Sequence, residues 1–278
     1  MVLQRPFTFG DDSVKVELPL GPSHPTSLST RGTLTPMSAA LHLFELRRLQ
    51  SDWYQTLHLC GSTPLDNPST YLHTHTQKLA AWRDNIPPTL TPHTRDWLLL
   101  EWHYLNIYIA APSPKTPHPT PQAMQQIYTH CTAYPIAFRS ILKDQTSRFV
   151  YTYHDALRTY FVGSNLLHAL YHAEDTLLPA HTPVKELENA ADAIRAIVFV
   201  LSSMIIRWPE AEALRDKFRG GAGYVLERLR GRVEAIVVEE REVWRRQQMW
   251  ELAAGGAWGW GGHVATPDFG NVAFYRYA

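Results

Sequence analysis

The segment Leu41-His42-Leu43-Phe44-Glu45-Leu46-Arg47-Arg48-Leu49-Gln50-Ser51-Asp52 decides how the rest of the chain is interpreted. Its apolar residues recur three and four positions apart and continue to Trp53 and Leu57, which is typical of one face of an α-helix. Ser38 is suited to cap the first turn, because its hydroxyl oxygen can accept a hydrogen bond from a free backbone amide. The run Gly61-Ser62-Thr63-Pro64 predicts the end of this helix.

Helical spacing continues along most of the chain, and strand patterns are scarce. Further helices are predicted over about 69–83, 94–111, 122–144, 152–174 and 184–206, from Pro209, and from Tyr224 to about Leu252. The helix from 94 to 111 is apolar on nearly every side, which predicts a central position. Gly220, Gly221 and Gly223 predict a break between the last two helices. We therefore expect an all-α fold, an irregular bundle of about seven to eight helices.

Composition divides the chain into four parts. Residues 1–36 are rich in Pro, Gly, Ser and Thr, which predicts an extended N-terminal arm. Residues 37–219 form the expected helical domain, and 220–254 a charged C-terminal helix. Residues 255–278 are rich in Gly and Trp and are expected to form a loose tail. The hydrophobic content of 45% and charged content of 19% fit a globular protein rather than a disordered one.

Charge and cysteine content exclude several classes of protein. Lys plus Arg (26) equals Asp plus Glu (26), so we expect no direct contact with nucleic acid. Cys60 and Cys131 are too few and too far apart for a disulfide scaffold, and a reducing compartment is expected. The most apolar run, Trp97 to Ala111, is shorter than the roughly 20 residues of a membrane helix and contains polar residues. We expect a soluble protein with no membrane contact.

The opening helix resembles part of a known family when it is read with the residues before it. These are Arg5-Pro6-Phe7-Thr8-Phe9-Gly10-Asp11-Asp12 and the stretch from Val14 to Pro19. Together these segments resemble the second half of the middle homology region of fungal binuclear zinc-cluster transcription factors. The features that carry the resemblance are an Arg-Pro-aromatic turn, an acidic pair, the pattern Val-x-Val-Glu-Leu-Pro and a helix with LRRLQSD. The resemblance implies an α-helical region that regulates transcription.

The likeness extends over roughly residues 4 to 219. The segments that carry it are Trp102-His103-Tyr104 with Pro112-Ser113-Pro114, Cys131-Thr132-Ala133, the helix His154 to Leu170, Arg207-Trp208-Pro209, and Ala213 to Phe218. The family's zinc cluster needs more thiolate ligands than two cysteines supply, so the DNA-binding head is absent from this sequence. The chain is interpreted as either a truncated product or a headless regulator.

The resemblance also implies a location and partners. It implies the nucleus, with the cytoplasm as the alternative location. It implies a second copy of the chain or a full-length transcription factor as partner, and a small molecule as effector. It supplies no catalytic residues and no cofactor.

The alternative interpretation is a stand-alone helical small-molecule-binding protein or cyclase-like enzyme of a fungal metabolic pathway. It predicts a pocket between the aromatic helices around Trp97–Tyr108 and Tyr151–Tyr171. Polar residues inside apolar helices need partners, either in the core or in such a pocket. The candidate ligand-binding residues are Glu101, His103, His154, His168 and His172.

A metal site is not expected at the histidines. His168 and His172 lie four residues apart and share a helix face. A zinc protease motif requires Glu directly after the first His, where this chain has Ala169. No third ligand is evident, so the two are interpreted as packed or hydrogen-bonded histidines.

Overall fold

The computed structural model describes residues 36–59, 61, 63–144, 150–178 and 182–255, with the backbone alone at 36–38 and 252–255. Across these residues it contains eight α-helices and no β-strand, which confirms the all-α prediction. The helices are α1 Pro36–Tyr54, α2 Pro68–Asp84, α3 Pro92–Ala110, α4 Pro121–Lys143, α5 Tyr153–His172, α6 Glu174–Leu177, α7 Pro183–Ile205 and α8 Ala211–Gly255. A π-helical turn, Gln55–Leu59, follows α1 directly. Apart from Pro36 and Gly255, the predicted arm and tail lie outside the described residues.

Local sequence signals set the starts of three helices. Helices α2, α3 and α4 each begin at a proline, which loses no hydrogen bond in the first helical turn. The residues before these prolines are Asn67, Thr91 and Thr120, and their side chains accept hydrogen bonds from the amides of Thr70, Thr94 and Ala123 at 3.1–3.3 Å. The predicted starts therefore fall within two residues of the observed ones.

The core lies where α3, α4, α5 and α7 meet. Every residue of α3 from Tyr104 to Ala110 is buried, which confirms the predicted central position of this helix. Two hydrogen bonds of 3.0 Å from the Arg139 guanidinium to the Asp192 carboxylate join α4 to α7 at the edge of this core. The chain divides into two compact units, Met1–Glu234 and Ala235–Ala278.

Helix α8 passes through the three glycines without interruption, so the predicted break at Gly220, Gly221 and Gly223 is wrong. The reason is burial on one face of α8. The side chains buried on that face are Phe218, Ala222, Val225, Leu229 and Val233. Each glycine costs a helix about 1 kcal/mol. Burying a large apolar side chain gives about 1.5–3 kcal/mol, which is enough to offset that cost.

A glycine of α5 is required where α8 crosses it. A Cβ atom at Gly163 would lie 2.7 Å from the ring of Phe218 and 3.3 Å from Ile197. Phe218 is buried, so its ring has little room to move away. The space around Gly223 is open, because a Cβ atom there would meet nothing within 4 Å.

We expect Gly163→Ala to lower the free energy of unfolding by about 1–3 kcal/mol, because the added methyl group overpacks the contact with Phe218. Gly223→Ala, the matched control in α8, should raise it by about 0.5–1 kcal/mol through the better helix propensity of alanine. Urea unfolding followed by circular dichroism measures both changes. Equal effects of the two substitutions would contradict the close contact.

Candidate functional site

Glu101 of α3 lies between two arginines from different helices, and these three residues are called the Glu101 triad below. Arg47 of α1 donates from Nη2 to Glu101 Oε2 at 2.8 Å. Arg158 of α5 donates from Nη1 to Glu101 Oε1 at 2.5 Å. The Arg158 guanidinium also lies over the Tyr104 ring, 4.7 Å from its centroid. One carboxylate thus joins α1, α3 and α5.

The charge of Glu101 is balanced inside the core. Its side chain is 4% exposed, and an unpaired carboxylate at such a position would be strongly unfavourable. Burial by itself raises the pKa of Glu101, but the charges and hydrogen bonds of Arg158 and Arg47 hold it below its ordinary value. Because both oxygens accept from permanent cations, this carboxylate is a poor general base near neutral pH.

His154 is the second candidate residue in this region. It lies in the first turn of α5, where burial lowers its pKa and the positive charge of Arg158 lowers it further. The negative charges of Asp155 and Glu101 raise the pKa of His154 and partly offset this lowering. The structure therefore brings Glu101 and His154 into one electrostatic neighbourhood, and His154 is disfavoured as a cation there.

His103 belongs to a different cluster, although it is two residues from Glu101. Its Nδ1 lies 2.9 Å from Nδ1 of His130 in α4, and the two are called the histidine pair below. One ring nitrogen must donate and the other accept at this distance. Trp102 packs edge-on against His130, and the Arg83 guanidinium lies 4.8 Å from the centroid of the Trp102 ring.

Both members of the histidine pair are held neutral. Burial, followed by the charge of Arg83, lowers the pKa of His103 to about 4. Burial, followed by the charges of His103 and Arg83, lowers the pKa of His130 to about 3. A general base works best with a pKa near the operating pH. This pair is therefore better suited to joining α3 to α4 than to proton transfer at neutral pH.

His168 and His172 lie at the opposite end of α5, about 21 and about 27 Å along the helix axis from His154 at roughly 1.5 Å per residue. Their ring centroids are 4.5 Å apart. Tyr171 lies beside His172 and under the Arg228 guanidinium, which is 4.4 Å from the centroid of the Tyr171 ring. Arg228 also donates two hydrogen bonds to the carboxylate of Glu174, at 2.9 and 3.0 Å.

The five sequence candidates thus fall into three places rather than one site. Sequence reasoning found Glu101 but missed its partners Arg47 and Arg158, and it found His103 but missed His130. One feature of the sequence could have indicated two of these partners. Arg158 and His130 stand in mainly apolar stretches of helix, where charged or polar groups need partners.

The space between the aromatic helices is filled by packed rings. Tyr104 of α3 contacts Tyr108 and Tyr134 at centroid distances of 6.5 and 6.4 Å, and Phe161 of α5 at 5.9 Å. A groove of about 380 Å³ lies elsewhere, between α1 and α2. Its lining combines charged side chains such as Glu45 and Lys78 with apolar ones such as Leu49 and Trp82.

Two features are absent from the described part of the chain. It holds no group of three or more His, Cys, Asp and Glu side chains placed to bind a metal ion. None of its helices combines the length and apolar character needed to cross a membrane.

Comparison of the chain with protein-family models, with curated proteins and with solved structures finds no match.

We expect Glu101→Gln to lower the free energy of unfolding by about 3–5 kcal/mol, because it leaves two arginines near the core without their carboxylate. Asp192→Asn is the matched control, since it removes a carboxylate from a half-exposed pair and should cost less than about 1 kcal/mol. Urea unfolding at pH 7 measures both. A loss at Glu101 no larger than that at Asp192 would contradict the structural role of the triad.

The histidine pair predicts a pH dependence of stability. Its folded-state pKa values, about 4 and about 3, lie below the unfolded value of about 6.5, so the unfolded chain binds more protons between these limits. The stabilisation is complete above pH 6.5 and falls as pH drops, by up to about 1.4 kcal/mol per pH unit for each histidine.

Urea unfolding at pH 7, 6 and 5 tests this dependence. His103→Gln with His130→Gln should reduce the slope, whereas His118→Gln, at an exposed histidine outside the helices, is the control for replacing a histidine. An unchanged slope in the double variant would refute the assignment.

Proposed function

We propose that the chain is a regulatory domain of a transcription regulator of the fungal zinc-cluster class. The observation that carries the proposal is the Glu101 triad. It connects the LRRLQSD helix, through Arg47, to the aromatic helix that holds Glu101 and to the helix that holds Arg158. These are three of the segments in which the sequence resembles that family.

The second matching motif supports the same proposal. Trp208 packs edge-on against Tyr151, immediately before α5, with ring centroids 5.7 Å apart. Ten residues later Phe218 is buried against Gly163 of α5. Trp208 and Phe218, which belong to the segments that resemble the family, therefore pack against α5 and the residues just before it. The Arg5–Pro19 part of the resemblance lies outside the described residues.

The charges of the described residues favour a protein partner over DNA. Arginines of α8 form ion pairs with acidic residues of the same helix, as in the pairs of Arg215 with Glu212 and of Arg230 with Glu227. A nucleic-acid-binding face requires a concentration of unbalanced positive charge. This region of the proposed regulator therefore contacts protein, either a full-length transcription factor or a second copy of the chain, in the nucleus.

Tethering the chain to DNA tests the proposal. The full chain is fused to an unrelated sequence-specific DNA-binding domain in fungal cells, and transcription of a reporter with matching sites is compared with the DNA-binding domain alone. We expect a several-fold change in transcription. The Glu101→Gln fusion should lose this change because its fold is destabilised, whereas the Asp192→Asn fusion should keep it.

Protein levels are matched by immunoblot, so that loss of the fusion protein is not mistaken for loss of regulation. A wild-type fusion that gives the same transcription as the DNA-binding domain alone, at equal protein level, would refute the proposal.

The alternative function, a small-molecule-binding protein or cyclase-like enzyme, is favoured by one observation. The Tyr104 hydroxyl and Arg158 Nε are buried near Glu101 and have no hydrogen-bond partner among the described residues. Buried polar atoms without partners are costly, and a ligand oxygen would satisfy them. Thermal-shift screening of apolar metabolites that carry a carboxyl or hydroxyl group tests this alternative, and Tyr104→Phe should abolish any shift that depends on this position.

A further inference from the structure

His168 and His172 lie beside each other at the C-terminal end of α5 and are called the terminal histidines below. Their ring centroids are 4.5 Å apart. His168 is half-buried and His172 is exposed, so solvent reaches this position. Neither ring forms a hydrogen bond with any described residue. Both imidazoles are therefore accessible to a ligand from solution.

The spacing of the terminal histidines suits chelation of one metal ion. Residues four apart on a helix lie one above the other on the same face. An imidazole nitrogen binds a transition-metal ion at about 2.0–2.1 Å, which places the ring centroid roughly 3.2 Å from the ion. Two such rings at right angles around the ion have centroids about 4.5 Å apart. The observed separation is the same.

Only side-chain rotation is needed to direct both rings at one ion. The ring planes are inclined at 48° to each other. The χ2 torsion of histidine is broad, so an imidazole turns about it at little cost. The ring of His172 is exposed and has room for this rotation, and the backbone of α5 stays in place.

The charges around the terminal histidines do not oppose a cation. Helix α5 ends at His172, and the partial negative charge at the end of a helix stabilises a cation in its last turn. Arg228 is balanced by Glu174, to which it donates two hydrogen bonds of 2.9 and 3.0 Å. Arg232 is balanced by Asp175 through a hydrogen bond of 2.8 Å.

The ligands select the class of ion. Imidazole suits copper, nickel and zinc, whereas magnesium and calcium prefer oxygen ligands. Affinity for a given set of nitrogen ligands is highest at Cu²⁺ among the divalent first-row ions, and nitrogen ligands at right angles fit its tetragonal geometry. No third His, Cys, Asp or Glu of the described residues joins the two histidines. The other coordination positions are therefore open to water or to a donor from another molecule.

We propose that His168 and His172 form an open binding site for a divalent transition-metal ion, with Cu²⁺ as the preferred occupant. The site is argued from α5 and its neighbours and does not rest on the proposed transcriptional role. A third protein ligand, whose absence in the sequence spoke against a metal, is not needed for binding of this open kind. The ion links two residues one helical turn apart and so stabilises the C-terminal end of α5.

Calorimetric titration of the full chain with Cu²⁺ at pH 7 tests the proposal, on protein purified without a histidine tag. His168→Gln and His172→Gln should each weaken binding at this site at least about tenfold, since even the loss of a group that supports a ligand weakens a metal site by that much. Neither side chain is buried, so both variants should fold, and circular dichroism checks this.

His73→Gln is the matched control and should leave Cu²⁺ binding unchanged. His73 is an exposed histidine of α2 whose neighbours four residues away are Ser69 and Gln77, so it cannot chelate in the same way. Equimolar Cu²⁺ should also raise the free energy of unfolding of the wild type and of this control more than that of the two α5 variants. The ion binds the helical pair more tightly than the unfolded chain.

Nuclear magnetic resonance locates the bound ion within the chain. The ring signals of the terminal histidines are assigned by their loss in the corresponding variants. Cu²⁺ is paramagnetic and broadens the signals of nearby nuclei. Less than one equivalent should broaden the ring signals of His168 and His172 before those of His73 and of the exposed His118.

Three results would overturn the proposal. Cu²⁺ binding that neither substitution in α5 weakens belongs to another part of the chain. Binding that only one of them weakens is made by a single imidazole and not by a chelate. Equal broadening of all four ring signals shows binding without a preferred site. The tethered reporter is read without added metal, so failure of the metal site and failure of the regulatory role are distinguishable.

Discussion

The carboxylate of Glu101 requires a cation on each oxygen, because it is buried in the middle of the central helix α3. Arg47 and Arg158 supply these cations from α1 and α5, so the position of three helices depends on one ion triad. Removing one partner of a buried ion pair destabilises the fold by more than the intact pair stabilises it, because the other charge remains buried without a partner. The triad therefore acts mainly as a constraint on which arrangement of the helices is allowed.

The remaining contacts extend from that arrangement. The histidine pair joins α3 to α4, and the Arg139–Asp192 pair joins α4 to α7. The contact of Phe218 with Gly163 holds α8 against α5, and burial along α8 keeps the helix continuous through its glycines. Polar contacts thus specify which helices pack against each other, while apolar packing supplies most of the stability.

Features with local causes could be predicted from the sequence. The starts of α3 and α4 were predicted within two residues and are set by Thr91 and Thr120 standing before prolines, and the central position of α3 was predicted from its apolar character. Features that depend on distant residues could not. The partners of Glu101 and His103 lie 54, 57 and 27 positions away in the chain, and helical periodicity does not state which helices meet. The continuity of α8 was missed because the burial of Phe218 and Ala222 is a tertiary effect.

These observations favour a helical domain in which the residues of the Glu101 triad stabilise the fold and do not bind a ligand or a partner. On this account, surface residues make the functional contacts. Replacing the whole triad by apolar residues, as Arg47→Met/Glu101→Leu/Arg158→Met, tests this claim most directly, since no stranded charge remains. The claim predicts a helical protein with unfolding free energy close to that of the wild type and with its reporter response retained. A triple variant that folds normally but loses the response would show that these charges take part in function directly.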